Sequence, residues 1–132
     1  MIFVDTSFLV AYANRRDDRH RDARLLLGQQ ASAHLVTTNH VRGESWTFLR
    51  QRLDHHKAVL FLRWMQRSAR LRVVHVGEEI EGEALTWLER HDEREFSFVD
   101  ATSFALMRAL RIGEALAFDG DFSAAGFAEL RP

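Results

Sequence analysis

Short runs of strand-forming residues alternate with helix-length stretches along the whole chain, and that alternation restricts the possible folds more than any other feature. Strands are predicted over 2–5, 34–38 ("HLVTT"), 71–76 ("LRVVHV") and 115–118 ("ALAF"). Helices are predicted over about 7–14, 18–30, 40–53, 56–69, 78–90 and 98–110, the last among the most apolar segments of the chain. Their apolar residues recur at intervals of three and four, as in Ile80, Ala84, Trp87 and Leu88. Strands that take turns with helices build a parallel sheet covered on both faces. The predicted fold is therefore α/β, a three-layer α/β/α sandwich with a central parallel sheet of four or five strands. Pro132 is the only proline, and no Gly/Ser-rich linker or repeat breaks the pattern, which predicts one domain over 1–132.

Two of the predicted strands run into an acid. Ile2, Phe3 and Val4 lead to Asp5, and the run from Ala115 to Phe118 leads to Asp119, although a carboxylate beside a buried strand is costly to desolvate. The carboxyl ends of parallel strands share one edge, where ligands bind, so Asp5 and Asp119 are expected on the same edge. Two further acids are out of place. Glu44 lies on the stripe Val41, Glu44/Ser45, Phe48, near the first turn of the helix after the second strand, and is expected to face packing neighbours. Asp100 sits between Val99 and Ala101 near the start of an apolar helix.

Each acid has an ordinary explanation when taken singly. Asp5 and Asp100 can cap helices, Glu44 can pair with a buried arginine, and Asp119 with Asp121 can form a turn around Gly120. All four, however, map to one end of a parallel sheet, where carboxylates repel one another unless positive charge lies between them. Oxygen ligands without a Cys or His pattern suit Mg²⁺ or Mn²⁺ better than zinc. Two such ions about 3.5–4 Å apart activate a water and stabilise the leaving oxygen of an in-line phosphoryl displacement. That is nuclease chemistry.

Composition narrows the alternatives. With 46% apolar and 28% charged residues the chain is globular and not disordered. The absence of cysteine excludes disulfide scaffolds, thiolate zinc sites and a Cys nucleophile. No run of 18 apolar residues and no leader pattern is present, so a cytoplasmic protein with no membrane span is expected. Of 18 basic residues only Lys57 is lysine. The run "NRRDDRHRDAR" offers Arg15, Arg16 and Arg19 for RNA phosphates, or else a solvated face with pairs such as Asp17–Arg21, each contributing about 0.2–0.5 kcal/mol. In "KAVLFLRWMQ", apolar residues circle nearly the whole helix, which indicates either deep burial or a dimer or partner surface.

Other motifs fail on inspection. "RGES" lacks the final glycine of a nucleophile elbow, having Thr47 there. Gly77 and Gly82 have P-loop separation, but Glu83 stands where the lysine belongs. Asp119, Asp121 and Ser123 imitate an EF-hand opening, yet Ala124 and Leu130 replace its glycine and final glutamate. None of the seven histidines has zinc-ligand spacing; His55 and His56 are adjacent and point apart on a helix.

Four ordered segments carry a family resemblance: "IFVDTSFLVAY", "TTNHVRGES" around Glu44, "FSFVDATSFALM" around Asp100 and "ALAFDGDF" around Asp119. Over about 2–127 the chain resembles the PIN-domain ribonucleases, and more closely the VapC toxins of bacterial toxin–antitoxin pairs. The resemblance implies an acidic metal centre of Asp5, Glu44, Asp100 and Asp119, with Asp121 as an auxiliary ligand and Thr6 orienting Asp5 or a bound water. It departs at Ala117, where many relatives carry Thr or Ser. It also implies Mg²⁺ or Mn²⁺ as cofactor, RNA cleavage leaving a 5′-phosphate and a 3′-hydroxyl, a protein antitoxin and a homodimer. Two rivals remain. A phosphatase of the haloacid dehalogenase type also begins with an aspartate at a strand end, but needs a second one where Ser7 stands and a lysine that Lys57 is poorly placed to supply. In a binding-only module the acids would merely cap helices.

Overall fold

All three residues of β1, Ile2–Val4, are buried, as are all four of β2, Leu35–Thr38, which is the pattern of strands covered on both faces. The computed structural model describes residues 1–132. Between these strands lie helices α1 (Thr6–Ala13) and α2 (His20–Gln29); α3 (Asn39–Arg52) and α4 (His55–Arg67) then lead to β3 (Leu71–Val74). After α5 (Glu78–Arg90) and α6 (Phe98–Leu110) come β4 (Glu114–Leu116), the short helix α7 (Asp121–Ala124) and β5 (Ala128–Glu129). The sheet is five-stranded and wholly parallel, in the order β3-β2-β1-β4-β5. The predicted α/β sandwich is thus the observed one, with the upper of the two expected strand numbers.

The strand order reverses between β1 and β4. The chain builds outward from β1 through β2 to β3, then returns to the other side of β1 for β4 and β5. Such a reversal opens a crevice beyond the strands' carboxyl ends. β1 stops at Val4, one residue earlier than predicted, although the Asp5 N–H still donates to the Leu116 carbonyl at 3.0 Å while its side chain caps α1. β4 ends at Leu116, since the Phe118 N–H turns to the Ser7 hydroxyl at 2.9 Å. Two threonines at the end of β2 serve the same edge. Thr37 Oγ1 donates to the Val4 carbonyl at 2.7 Å, and Thr38 Oγ1 caps α3 by accepting from Val41 N at 3.0 Å.

The core centres on Phe104 of α6, fully buried among the rings of Trp87, Phe96, Phe122 and Phe127 at centroid distances of 4.9 to 5.7 Å. Phe122 extends this cluster to Phe3 of β1 at 5.7 Å. α5 meets α6 through the fully buried alanines Ala84, Ala101 and Ala105, whose small side chains let the helices approach closely. Helix α4 divides its apolar residues. Ala58, Phe61 and Met65 are buried, while Leu60 is 47% exposed and borders a shallow apolar pocket with Tyr12 and Trp64. No helix is long and apolar enough to cross a membrane.

Removing the hub ring leaves a cavity that its rigid neighbours cannot fill. Phe104→Ala is expected to lower unfolding free energy by about 3–5 kcal/mol, measured as a reduced urea midpoint at unchanged m-value.

Candidate active site

Asp5 follows the central strand β1 and is 2% exposed. Its Oδ2 accepts from the backbone N–H of Ser7 at 3.1 Å and from the Ser7 hydroxyl at 2.7 Å, which caps α1. The Ser7 oxygen in turn accepts from Phe118 N, so one hydroxyl ties the end of β1 to the exit of β4. Asp100 is held in the same way at the start of α6. Its Oδ2 accepts from Ser97 N and its own N–H donates to Ser97 Oγ, both at 2.9 Å, a reciprocal capping box. The capping roles expected of these acids are real, yet each occupies a single oxygen. Oδ1 of both residues stays free of protein partners.

The third group is a loop. Gly120 adopts φ +82°, which suits glycine, and turns the chain so that Asp121 N donates to Asp119 Oδ1 at 3.1 Å. Two side chains of opposite charge clamp this turn. Arg94, from the segment before α6, donates through Nε to Asp121 Oδ1 at 2.6 Å and through Nη2 to the Asp119 carbonyl at 3.0 Å. Glu129 of β5 has a side chain only 2% exposed and accepts from Gly120 N at 3.3 Å and Ser123 N at 2.9 Å. Burial pushes its carboxyl up, but the hydrogen bonds from Ser123, Arg131 and Gly120 outweigh that and hold it below the usual range.

Carboxylate oxygens of Asp100, Asp119 and Asp121 come within 4.8 Å of one another. Asp5 and Glu44 lie outside that trio but line the same cleft, of about 570 Å³. The stripe containing Glu44 is split by the structure. Val41, Ser45 and Leu49 face the core, whereas Glu44, Phe48 and Arg52 face the cleft, so the expectation that Glu44 turns toward packing neighbours is corrected: Ser45 takes that place. Thr6 also lines the cleft, 9% exposed, and its Oγ1 has no hydrogen-bond partner. Ser7, not Thr6, hydrogen-bonds Asp5. Arg19 lines the cleft, while Arg15 and Arg16 are exposed outside its lining. The expected Asp17–Arg21 pair is replaced by Arg19 N donating to Asp17 Oδ1 at 2.8 Å and an exposed Arg19–Asp22 pair at 3.6 Å.

Crowding raises the carboxyls. Loss of hydration on burial, then repulsion from Asp119, lifts Asp5 to about 7 despite the Ser7 hydrogen bonds. Asp100 rises to about 6, again mainly by burial, with Asp121 and Asp119 adding repulsion. Asp119, at the cleft rim, rises to about 6 through partial desolvation, with Asp121 and Glu129 contributing. Free carboxylate oxygens, an unpartnered hydroxyl and no sulfur or imidazole in the cleft form a donor set that fits a hard divalent cation.

Between about pH 4 and 7 the folded chain therefore holds more protons than the unfolded chain, and stability falls as pH rises across that window. Without metal, the melting temperature is expected to drop from about pH 5 to about pH 8, and added Mn²⁺ to raise it more at the higher pH, where its ligands are already deprotonated. Scanning fluorimetry with and without chelator measures both; a melting temperature flat across that range contradicts the electrostatic account.

The family model for the PIN domain matches residues 2–128. A protein of Mycobacterium tuberculosis named 23S rRNA-specific endonuclease VapC20 is 53% identical over 132 residues, covering 100% of this chain and 99% of its own length. The crystal structure of Mycobacterium tuberculosis VapC20, described as a Sarcin-Ricin loop cleaving toxin, superposes with a TM-score of 0.94 at 52% identity over the full length of both chains. FitAcB from Neisseria gonorrhoeae shares the fold, with a TM-score of 0.69 at 15% identity over 98% of this chain and 96% of that one. The order of acidic motifs, the five-stranded parallel sheet and these matches agree: the chain belongs to the PIN-domain family.

Proposed function

We propose that this chain is an endoribonuclease dependent on Mg²⁺ or Mn²⁺, and that it is the toxin of a VapC-type toxin–antitoxin pair. The observation that carries this reading is the convergence of Asp100, Asp119 and Asp121 within 4.8 Å at the β1/β4 reversal, beside buried Asp5. Asp5, Asp100, Asp119 and Asp121 hold the ion, each with a carboxylate oxygen not used by the fold. A bound divalent cation supplies an activated water and stabilises charge on the leaving oxygen. Glu44, half-buried on the cleft wall, accepts a proton from the attacking water or serves a second ion. Thr6 Oγ1 has both its donor and its acceptor capacity available to orient that water. Water adds to phosphorus and the bond to the 3′ oxygen breaks, leaving a 5′-phosphate and a 3′-hydroxyl. RNA is the substrate class, as the name of the 53% identical VapC20 states for that protein.

A protein antitoxin is the expected partner, and the pocket of Tyr12, Leu60 and Trp64 is an apolar surface suited to it or to a second copy in a homodimer. A cytoplasmic location accords with an RNA target. The phosphatase reading is disfavoured by two placements. Ser7 occupies the position where a second aspartate is needed, and Lys57 borders the α4 pocket instead of the acidic cleft.

Asp5→Asn and Asp100→Asn each keep the side chain's shape and remove its charge. Both variants are expected to lose at least about 100-fold in Mn²⁺-dependent cleavage of structured RNA, while the metal-free Asp5→Asn protein melts higher than wild type near pH 8 because the buried charge is gone. A folded Asp100→Asn protein with full activity refutes the site, and a wild-type chain that releases phosphate from small esters but leaves RNA intact refutes the nuclease reading.

A further inference from the structure

The only apolar side chains lining the acidic cleft are Val10, Phe48 and Phe118. Both aromatic rings carry a guanidinium. Arg52 lies 4.4 Å from the Phe48 centroid; the Phe118 ring, stacked on Phe8 at 5.7 Å, has Arg19 at 5.5 Å on the cleft lining and Arg131 at 5.4 Å outside it. Arg19 and Arg52 are also the only cations in the lining. Arg52 makes no ion pair, and the pair of Arg19 with Asp22 is exposed and 3.6 Å long, so the fold requires neither charge. A cleft of carboxylates repels a polyanion everywhere except where such charges stand.

The arrangement has direction. Glu44, Phe48 and Arg52 follow one another at intervals of four on α3, so acid, ring and guanidinium form a single stripe about 12 Å long at 1.5 Å per residue. Phe118 and Arg19 come from the other side of the centre, since α3 follows β2, Phe118 follows β4, and these strands flank β1 on opposite sides. A guanidinium held over a ring presents its N–H edge for a phosphate and its plane for stacking a base.

We propose that the Phe48–Arg52 and Phe118–Arg19 pairs are two nucleotide subsites that grip unpaired residues on either side of the scissile phosphate. This rests on the nuclease reading and adds to it which residues of this chain hold the RNA beside the cut. In a duplex the base faces are already stacked and cannot meet these pairs.

The test is equilibrium binding of a hairpin RNA with a labelled, unpaired loop and of a fully paired duplex, by fluorescence anisotropy across a salt series. All proteins carry Asp100→Asn and are assayed in Mg²⁺, so that the RNA stays whole. Loop RNA is expected to bind more tightly than duplex. Arg52→Gln and Arg19→Gln should each weaken loop binding about tenfold and reduce the slope of log affinity against log salt by about 0.7, the contribution of one single-strand phosphate contact. Arg52→Lys should restore the slope without the full affinity, and Phe48→Ala should weaken binding about fivefold with the slope retained. Melting temperatures near the parent's exclude misfolding. Unchanged affinity and slope in both glutamine variants, or duplex bound as tightly as loop, overturns the subsites. Failure of the chain with Asp100 intact to cut any RNA in Mn²⁺ is a separate result, and it overturns the nuclease reading itself.

Discussion

A carboxylate at the buried end of a central strand is tolerable only when it is hydrogen-bonded, and Asp5 satisfies that condition with one oxygen alone. Its other oxygen and its charge remain uncompensated by protein, which is why its acidity is displaced so far toward neutrality. The arrangement is poor for the stability of the metal-free chain and suitable for receiving a cation. Ser7 makes it possible: a single hydroxyl donates to Asp5 and accepts from Phe118 N, so the acid and the strand exit opposite it are fixed together. The reversal between β1 and β4 then brings Asp119 within electrostatic reach of Asp5.

The remaining acids follow a related rule, in which backbone donors hold one part of each carboxylate and leave another part available. Asp100 sits in a capping box, and Asp119 takes the N–H of Asp121 across Gly120. The turn containing Asp119 and Asp121 is gripped by a cation and by a buried anion, Arg94 and Glu129. Opposite charges thus position one loop without filling the cleft between its carboxylates, and Arg94 partly offsets the repulsion at Asp121.

Much of this is legible in residue order. The alternation of strands and helices identifies the sheet, and acids at the ends of Ile2–Val4 and of the "ALAF" run identify its functional edge, because burial makes such placements costly. Two elements leave no such trace: β5 has two residues and α7 four, too few for any periodicity to register. Arg94 and Glu129 are equally silent, because their partners are separated from them along the chain by a helix or a turn, and nothing local distinguishes a charge that grips a distant loop from one that merely meets solvent. Ser7 does carry a signal, though an ambiguous one. A hydroxyl two residues beyond an N-capping acid is well placed to bond it, yet Thr6 is the nearer hydroxyl and competes for the role on sequence grounds. On α3 the inward stripe is uncertain by one position, since Glu44 and Ser45 differ by only about 100° on a helix and polarity does not say which of them turns inward.

The first and fourth acids are separated by almost the entire chain, and the parallel pairing that unites them joins β1 to β4. No local segment can assemble the centre by itself. During synthesis, a growing chain presents Asp5, then Glu44, then Asp100 as isolated carboxylates, and the full acidic cluster exists only when the final turn and its clamps have formed. A truncated copy that stops before the last turn therefore lacks part of the acid set that the proposed nuclease chemistry requires.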